Sequence, residues 1–201
     1  IRPYANPRTE SYGMPLYHKI MPEFLLEAGY QTALSGKWHL GMSSDEYLPS
    51  SRGFQQTYGH MNGGIDYYDH SFSGRLDWHR DNIPLVEDGY ATNLIANEAI
   101  RIIKNKDKNK PLFLYVAFNA PHTPIQVEND VMNELLFIED IDDRRYAANI
   151  YSLDREIGKI IDVIENENLL ENTIILFFSD NGPVFDVDPI AATIAPGLLD
   201  A

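Results

Sequence analysis

Pro111-Leu-Phe-Leu-Tyr-Val-Ala-Phe118 is a continuous apolar run without alternation, and its reading decides the fold class. A strand with one wet face alternates apolar and polar residues. A run that is apolar at every position reads as a strand buried on both faces, the pattern of parallel sheets covered by helices. Before it, Thr92 to Lys106 sets Leu94, Ile95, Ala99, Ile102 and Ile103 on one helical face, with Thr92 as candidate N-cap. After it, Asp143 to Asn166 places Tyr146, Ile150, Leu153, Ile157, Ile160, Ile161 and Ile164 in a stripe at helical spacing. Thr173-Ile-Ile-Leu-Phe-Phe178 then repeats the fully apolar pattern as a second buried strand. Helix, buried strand, helix, buried strand is the order of an α/β protein with a mainly parallel central sheet flanked by helices.

Further upstream, a short helix is expected around Lys19 to Ala28, with Pro22 in its first turn and Gly29 just past its end. Tyr30-Gln-Thr-Ala-Leu-Ser35 reads as a third strand, stopping at Gly36. Residues 41–90 read as irregular, rich in Gly, Asp, Tyr and His. A compact domain carries so long a stretch when it is functional or hides short elements. The chain opens at Ile1 in a Pro-rich loop, as expected of an internal piece of a longer protein.

Composition narrows the classes. Of 201 residues, 44% are hydrophobic and 23% charged, a globular balance. The net charge of −14 argues against nucleic acid as partner, because phosphate binding needs a basic footprint. The absence of cysteine excludes disulfides and a thiolate zinc site. No apolar run approaches the ~20 residues of a membrane-spanning helix.

Each strand candidate ends directly in a polar motif. Gln31–Ser35 runs into Gly36-Lys-Trp-His-Leu-Gly41, Leu112–Phe118 into Asn119-Ala-Pro-His-Thr-Pro124, and Ile174–Phe178 into Ser179-Asp-Asn-Gly182. In open α/β sheets, ligands bind beyond the carboxyl ends of the strands. Parallel strands would therefore bring Lys37, His39, His122, Asp180 and Asn181 to one mouth. Asp180 and Asn181 offer hard oxygen donors suited to calcium or magnesium. Lys37 can neutralise a tetrahedral oxyanion, and the histidines can donate hydrogen bonds or move a proton. Taken singly, each has a plainer reading: Asp-Asn-Gly as a turn, Trp38 as core, His122 as a loop residue, and the Tyr and His cluster of residues 64–70 as loop packing.

With those residues in view, the chain resembles the sulfatase family, most closely its arylsulfatase B group. Leu26-Glu-Ala-Gly-Tyr30, Gly36-Lys-Trp-His-Leu-Gly41, Arg52-Gly-Phe54, Asp66-Tyr-Tyr-Asp-His70, Pro111-Leu-Phe-Leu-Tyr115, Ala120-Pro-His-Thr-Pro124 and Ser179-Asp-Asn-Gly182 carry the resemblance, in that order. It implies an alkaline-phosphatase-like α/β fold, here partial, with residues 1–182 as part of a catalytic domain and 183–201 an unassigned tail. It also implies one active-site calcium, with Asp180 and Asn181 among its ligands, and a formylglycine whose hydrate attacks the sulfate ester. Lys37 and His122 resemble the sulfate-binding pair, His122 also the proton donor to the leaving alcohol. His39 resembles the histidine that supports the aldehyde hydrate and helps to expel sulfate.

The departures matter equally. The Cys/Ser-x-Pro-x-Arg motif that supplies the formylglycine has no match here, nor does the strand of paired calcium-binding aspartates. The chain alone is therefore expected to be inactive. Asp186 and Asp188 are expected in an exposed acidic tail. Beside a sulfuric ester hydrolase stand a phosphodiesterase or phosphonate monoesterase of the same superfamily, and a non-catalytic relic binding metal or anion. The expected substrate is a sulfated small molecule or sulfated glycan, with Tyr67, Tyr68, Trp78 and His79 as candidates to stack on sugar rings. The resemblance points to a secreted, periplasmic or lysosomal parent, while the oligomeric state is not legible.

Overall fold

Pro22 near the start and Gly29 just past the end delimit α1 (Met21–Glu27). Glu23 accepts a hydrogen bond from the Ile20 amide at 2.8 Å, and Gly29 takes a left-handed φ of 89° that suits glycine. The computed structural model describes residues 13–182, so Asp186, Asp188 and the rest of the tail lie outside the described residues. The chain divides into two compact units, Ile1–Asn119 and Ala120–Ala201.

The first unit is built on β1 (Gln31–Lys37), whose interior residues are all buried. It pairs in parallel with β2 (Gln56–His60). Residues 71–84 add four short strands: β3 (Ser71–Phe72), β4 (Arg75–Leu76), β5 (His79–Arg80) and β6 (Ile83–Pro84). Then follow α2 (Ala91–Asn105) and β7 (Leu112–Ala117), which pairs in parallel with the other edge of β1. The five-stranded sheet runs β6-β5-β2-β1-β7, while β3 and β4 form a separate hairpin. Leu34 of β1 packs with Trp38, Phe54 and Met61 into one core cluster. On the opposite face Ser35 Oγ donates to the Ile95 carbonyl of α2 at 2.8 Å, fixing that helix over the sheet. The α/β class with a mainly parallel sheet therefore stands.

Several expectations need correction, beginning with β1, which does not stop at Gly36 but runs through it to Lys37. The stretch 41–90 holds two short 3-10 turns and five of the strands, including β2, a central member of the sheet. The N-cap of α2 is Tyr90, and Thr92 lies inside the first turn, where its backbone is already helical. β7 is an edge strand of half-buried residues rather than one buried on both faces, because it finds only β1 to pair with among the described strands. Thr173–Phe178 forms no strand: Ile174, Leu176 and Phe177 are 88%, 76% and 80% exposed. An apolar run becomes a strand only when a neighbour satisfies its amides, and no described strand pairs with this one.

The second unit contains α3 (Asn129–Glu134) and α4 (Ile141–Asn166). Asp140 caps α4 by accepting from the amides of Asp142 and Asp143 at 2.9 and 3.0 Å. Its buried residues are Ala148, Asn149, Ser152, Glu156 and Ile160, not the apolar stripe as a whole. Tyr146, Ile150 and Ile161 stay exposed. The polar residues are drawn inward by partners: Asn149 Nδ2 donates to the Gln126 carbonyl at 2.8 Å, and Lys159 Nζ to Glu156 at 2.6 Å. Among the described residues no helix is long and apolar enough to cross a membrane.

Candidate functional site

Lys37 ends β1 in register with His60, the last residue of β2. The parallel ladder continues past both ends, since Trp38 N donates to His60 O at 2.9 Å and His39 N to Met61 O at 3.0 Å. Trp38 is core, as its plainer reading held, and its indole N–H is shared between the carbonyls of Gly41 and Tyr47 at 2.9 and 3.0 Å. His39 follows with φ of 53°, a left-handed conformation uncommon outside glycine. Residues held there against their preference concentrate at functional sites. Its ring lies against Gly63, so closely that a Cβ on that glycine would sit 2.7 Å from Cε1.

The carboxyl ends of β1 and β7 lie on one edge of the sheet, as parallel pairing requires. Beyond β7, Asn119 is buried, and neither polar atom of its side chain has a hydrogen-bond partner. His122, Asp180 and Asn181 belong to the second unit. His122 is exposed, with Nδ1 2.7 Å from the Thr123 carbonyl. Asp180 and Asn181 occupy an exposed bend after residues 173–178. Their oxygen chemistry suits calcium, but a calcium shell needs 6–8 oxygens. Among the described residues no group of three acidic, His or Cys side chains gathers to hold a metal. These two donors alone do not make the site.

At the end of β2 the structure gathers a cluster that sequence reasoning did not assemble. The Trp78 ring stacks with those of His60 and His70, at centroid distances of 6.3 and 4.6 Å. Its indole N–H donates to Glu87 at 2.7 Å, and Tyr58 packs edge-on against it. Burial raises the Tyr58 hydroxyl pKa above its ordinary range, and the hydrogen bond to Glu87 adds to this. The available signal was positional: Gly59-His60-Met61-Asn62-Gly63 is a fourth polar motif at a strand end. Of the residues proposed to stack on sugars, Tyr67 and Trp78 are fully buried, so packing and not ligand takes their faces. Tyr68 remains 40% exposed, its ring 5.3 Å from Tyr90.

His79, partly exposed beside Asp77, carries a pKa below its ordinary 6.5. Burial lowers it, and the opposing charge of Asp77 and a hydrogen bond to Gly59 do not fully compensate. The folded form thus binds this proton less readily than the unfolded chain. Its stabilising contribution is present above the unfolded value of 6.5 and is lost as pH falls through the lower folded value. Urea unfolding between about pH 7.5 and about pH 5 is expected to show a smaller acid loss for His79→Gln than for the wild type. Equal acid losses in the two proteins would refute this.

A protein-family model described as Sulfatase matches residues 3–196. The chain is 34% identical to arylsulfatase J of Mus musculus over 182 residues, covering 87% of this chain and 30% of that protein. It is 30% identical to N-acetylgalactosamine-6-sulfatase of Homo sapiens, covering 85% of this chain and 34% of that protein. It also resembles the crystal structure of Ps i-CgsB in complex with k-i-k-neocarrahexaose. There the TM-score is 0.73 at 30% identity, over 83% of this chain and 40% of that one. The chain thus spans about a third of the length of these curated relatives. With the alkaline-phosphatase-like α/β sheet, the motif at the end of β1 and a family match over nearly all its residues, the chain belongs to the sulfatase family.

Proposed function

We propose that the chain carries the sulfate-handling part of a calcium-dependent sulfuric ester hydrolase. The observation that most supports this is the end of β1, where Lys37 closes a buried parallel strand and His39 is held in a left-handed conformation against Gly63. Lys37 places a compact cation against the sulfuryl oxygens and offsets charge that grows as the ester breaks. His122 donates a proton to the departing alcohol oxygen, and an exposed ring suits exchange of that proton with water. His39 would hold the attacking group in orientation, with its imidazole as the proton acceptor there. The family's formylglycine would supply that attacking group, and none of these 201 residues matches its motif. Asp180 and Asn181 are two of the calcium ligands in this reading, with other oxygen donors completing the shell.

The substrate class is a sulfated glycan. The similarity to an N-acetylgalactosamine-6-sulfatase and to a protein solved with neocarrahexaose supports a sugar rather than a simple aryl ester. The half-exposed Tyr68 offers one face for stacking. An exported or lysosomal setting agrees with that class.

The test is hydrolysis of p-nitrophenyl sulfate and of sulfated oligosaccharides by the complete gene product, with calcium and with chelator. Sulfate release that needs calcium and is abolished in Asp180→Ala supports the proposal. Preferential turnover of phosphodiesters or phosphonate monoesters would replace it with phosphoryl chemistry. Sulfate release unaffected by chelator would remove calcium from it.

A further inference from the structure

We propose that Asp77 is a positioning residue for His39, acting through the backbone of residues 61–63; this rests on the role given to His39 above. The segment to which His39 is fitted is short. Its carbonyl at Met61 receives the His39 amide at 3.0 Å, and Gly63 lies directly under the imidazole ring. A movement of this segment therefore displaces the imidazole.

The sheet itself does not hold the segment on its far side. β2 pairs with β5 at Tyr58↔Arg80 and Gly59↔His79, and there the ladder stops. A side chain takes over. Asp77 Oδ1 accepts from the Met61 amide at 3.0 Å, and Oδ2 accepts from the Asn62 amide at 2.9 Å and from Asn62 Nδ2 at 2.8 Å. The carboxylate thus receives three N–H donors from two consecutive residues and is itself only 3% exposed. Hydrogen bonds to a charged group are shorter and stronger than neutral ones, and burial protects them from competing water.

Asp77 is in turn fixed. Its amide donates to the His70 carbonyl at 2.9 Å, and the next residue is the fully buried Trp78, whose ring stacks with those of His60 and His70. The line of contact therefore runs from a buried aromatic stack through one carboxylate to the main chain beneath a histidine in a left-handed conformation. A buried aspartate that merely closes a loop would serve stability alone. Here both consecutive residues it holds adjoin the groups that contact His39, and that juxtaposition assigns the positioning role.

The experiment is a double-mutant cycle in the complete gene product, assayed with p-nitrophenyl sulfate. An amide in place of the carboxylate turns an NH2 toward the Met61 or Asn62 donors, so Asp77→Asn breaks at least one bond. Its kcat is expected to fall about 10- to 100-fold, the scale of a small misplacement of a catalytic group. KM should change by less than about twofold, because the binding of the sulfate group does not depend on His39. In a His39→Ala background the further fall should be less than about twofold, since there is no imidazole left to misplace. An equal fall with and without His39, or none in either, would overturn the assignment.

Asn62→Ala removes only the Nδ2 bond and is expected to give a smaller fall that also vanishes without His39. It decides the question if Asp77→Asn does not fold. An unchanged kcat in His39→Ala alone would overturn the role of His39, and the clamp with it. That failure is distinct from an additive cycle, in which His39 matters and Asp77 does not act through it.

Discussion

Gly36→Ala is expected to leave the chain unable to hold its sheet. Gly36 sits inside β1 at φ of 117°, and a Cβ built there would lie 1.9 Å from the carbonyl oxygen of Ala117 on β7. Across the other edge its partner Gly59, at φ of 123°, would put a Cβ 2.3 Å from the Gly36 carbonyl oxygen. Both obstacles are backbone in paired strands, so no rotamer change relieves them. Strain at such a dihedral costs of order 1–3 kcal/mol, and forced movement in a packed interior about as much again. Together they come to about 2–6 kcal/mol, which reaches the lower end of an ordinary domain's stability of about 5–15 kcal/mol.

Two other glycines separate the causes. Gly29 has φ of 89° but open space around it, so Gly29→Ala pays only for the dihedral. Gly158 lies within α4, also with open space, and Gly158→Ala is expected to stabilise by about 0.5–1 kcal/mol. Denaturant unfolding should rank the three with Gly158→Ala most stable, Gly29→Ala slightly weakened and Gly36→Ala without a cooperative transition. A Gly36→Ala protein that unfolds like the wild type would show that the β1–β7 approach is looser than the geometry states.

The strand that partners Gly36 on its other side shows where sequence reasoning stops. α2 and α4 announced themselves through apolar residues at a period of 3.6, and β1 and β7 through short β-prone or wholly apolar runs, because burial against neighbours selects those patterns. β2 did not. Gln56-Thr-Tyr-Gly-His60 looks like loop, yet Thr57, Tyr58 and His60 are all buried. Its interior carries Thr, Tyr and His instead of an apolar run, and two of its polar groups meet partners far along the chain. The Thr57 amide is met by Asp81, and the Tyr58 hydroxyl by Glu87. Those partners cannot be located before the fold is known. The reverse error occurs at residues 173–178, whose apolarity is legible but whose pairing is not supplied by any described strand. In α4 both errors meet, for Asn149 and Glu156 are buried while Tyr146 and Ile150 face water. Candidate site residues at the end of β1 were legible because their strand was. The Asp77 network that supports His39 was not, because it depends on β2.

Lys37→Ala is the substitution expected to cost most in activity while sparing the fold. Lys37 is the last residue of β1 and only partly buried, and its backbone pairing with His60 is independent of its side chain. Stability should therefore stay within about 0.5 kcal/mol of the wild type, as for substitutions away from the core. Catalysis should not be spared, because in the proposed reading the ammonium meets oxygens whose negative charge increases toward the transition state. Removing one preorganised donor of that kind costs about 10²–10³ in kcat, or roughly 2.7–4 kcal/mol. Lys37→Arg keeps the charge but replaces a compact ammonium with a planar fork, which needs more room and a different geometry. It is expected to recover only part of the loss, with kcat still at least about tenfold below wild type. The measurement is steady-state hydrolysis of p-nitrophenyl sulfate by the complete gene product, with circular dichroism to confirm folding. A folded Lys37→Ala protein with undiminished kcat/KM would take Lys37 out of the site and leave the end of β1 with His39 alone.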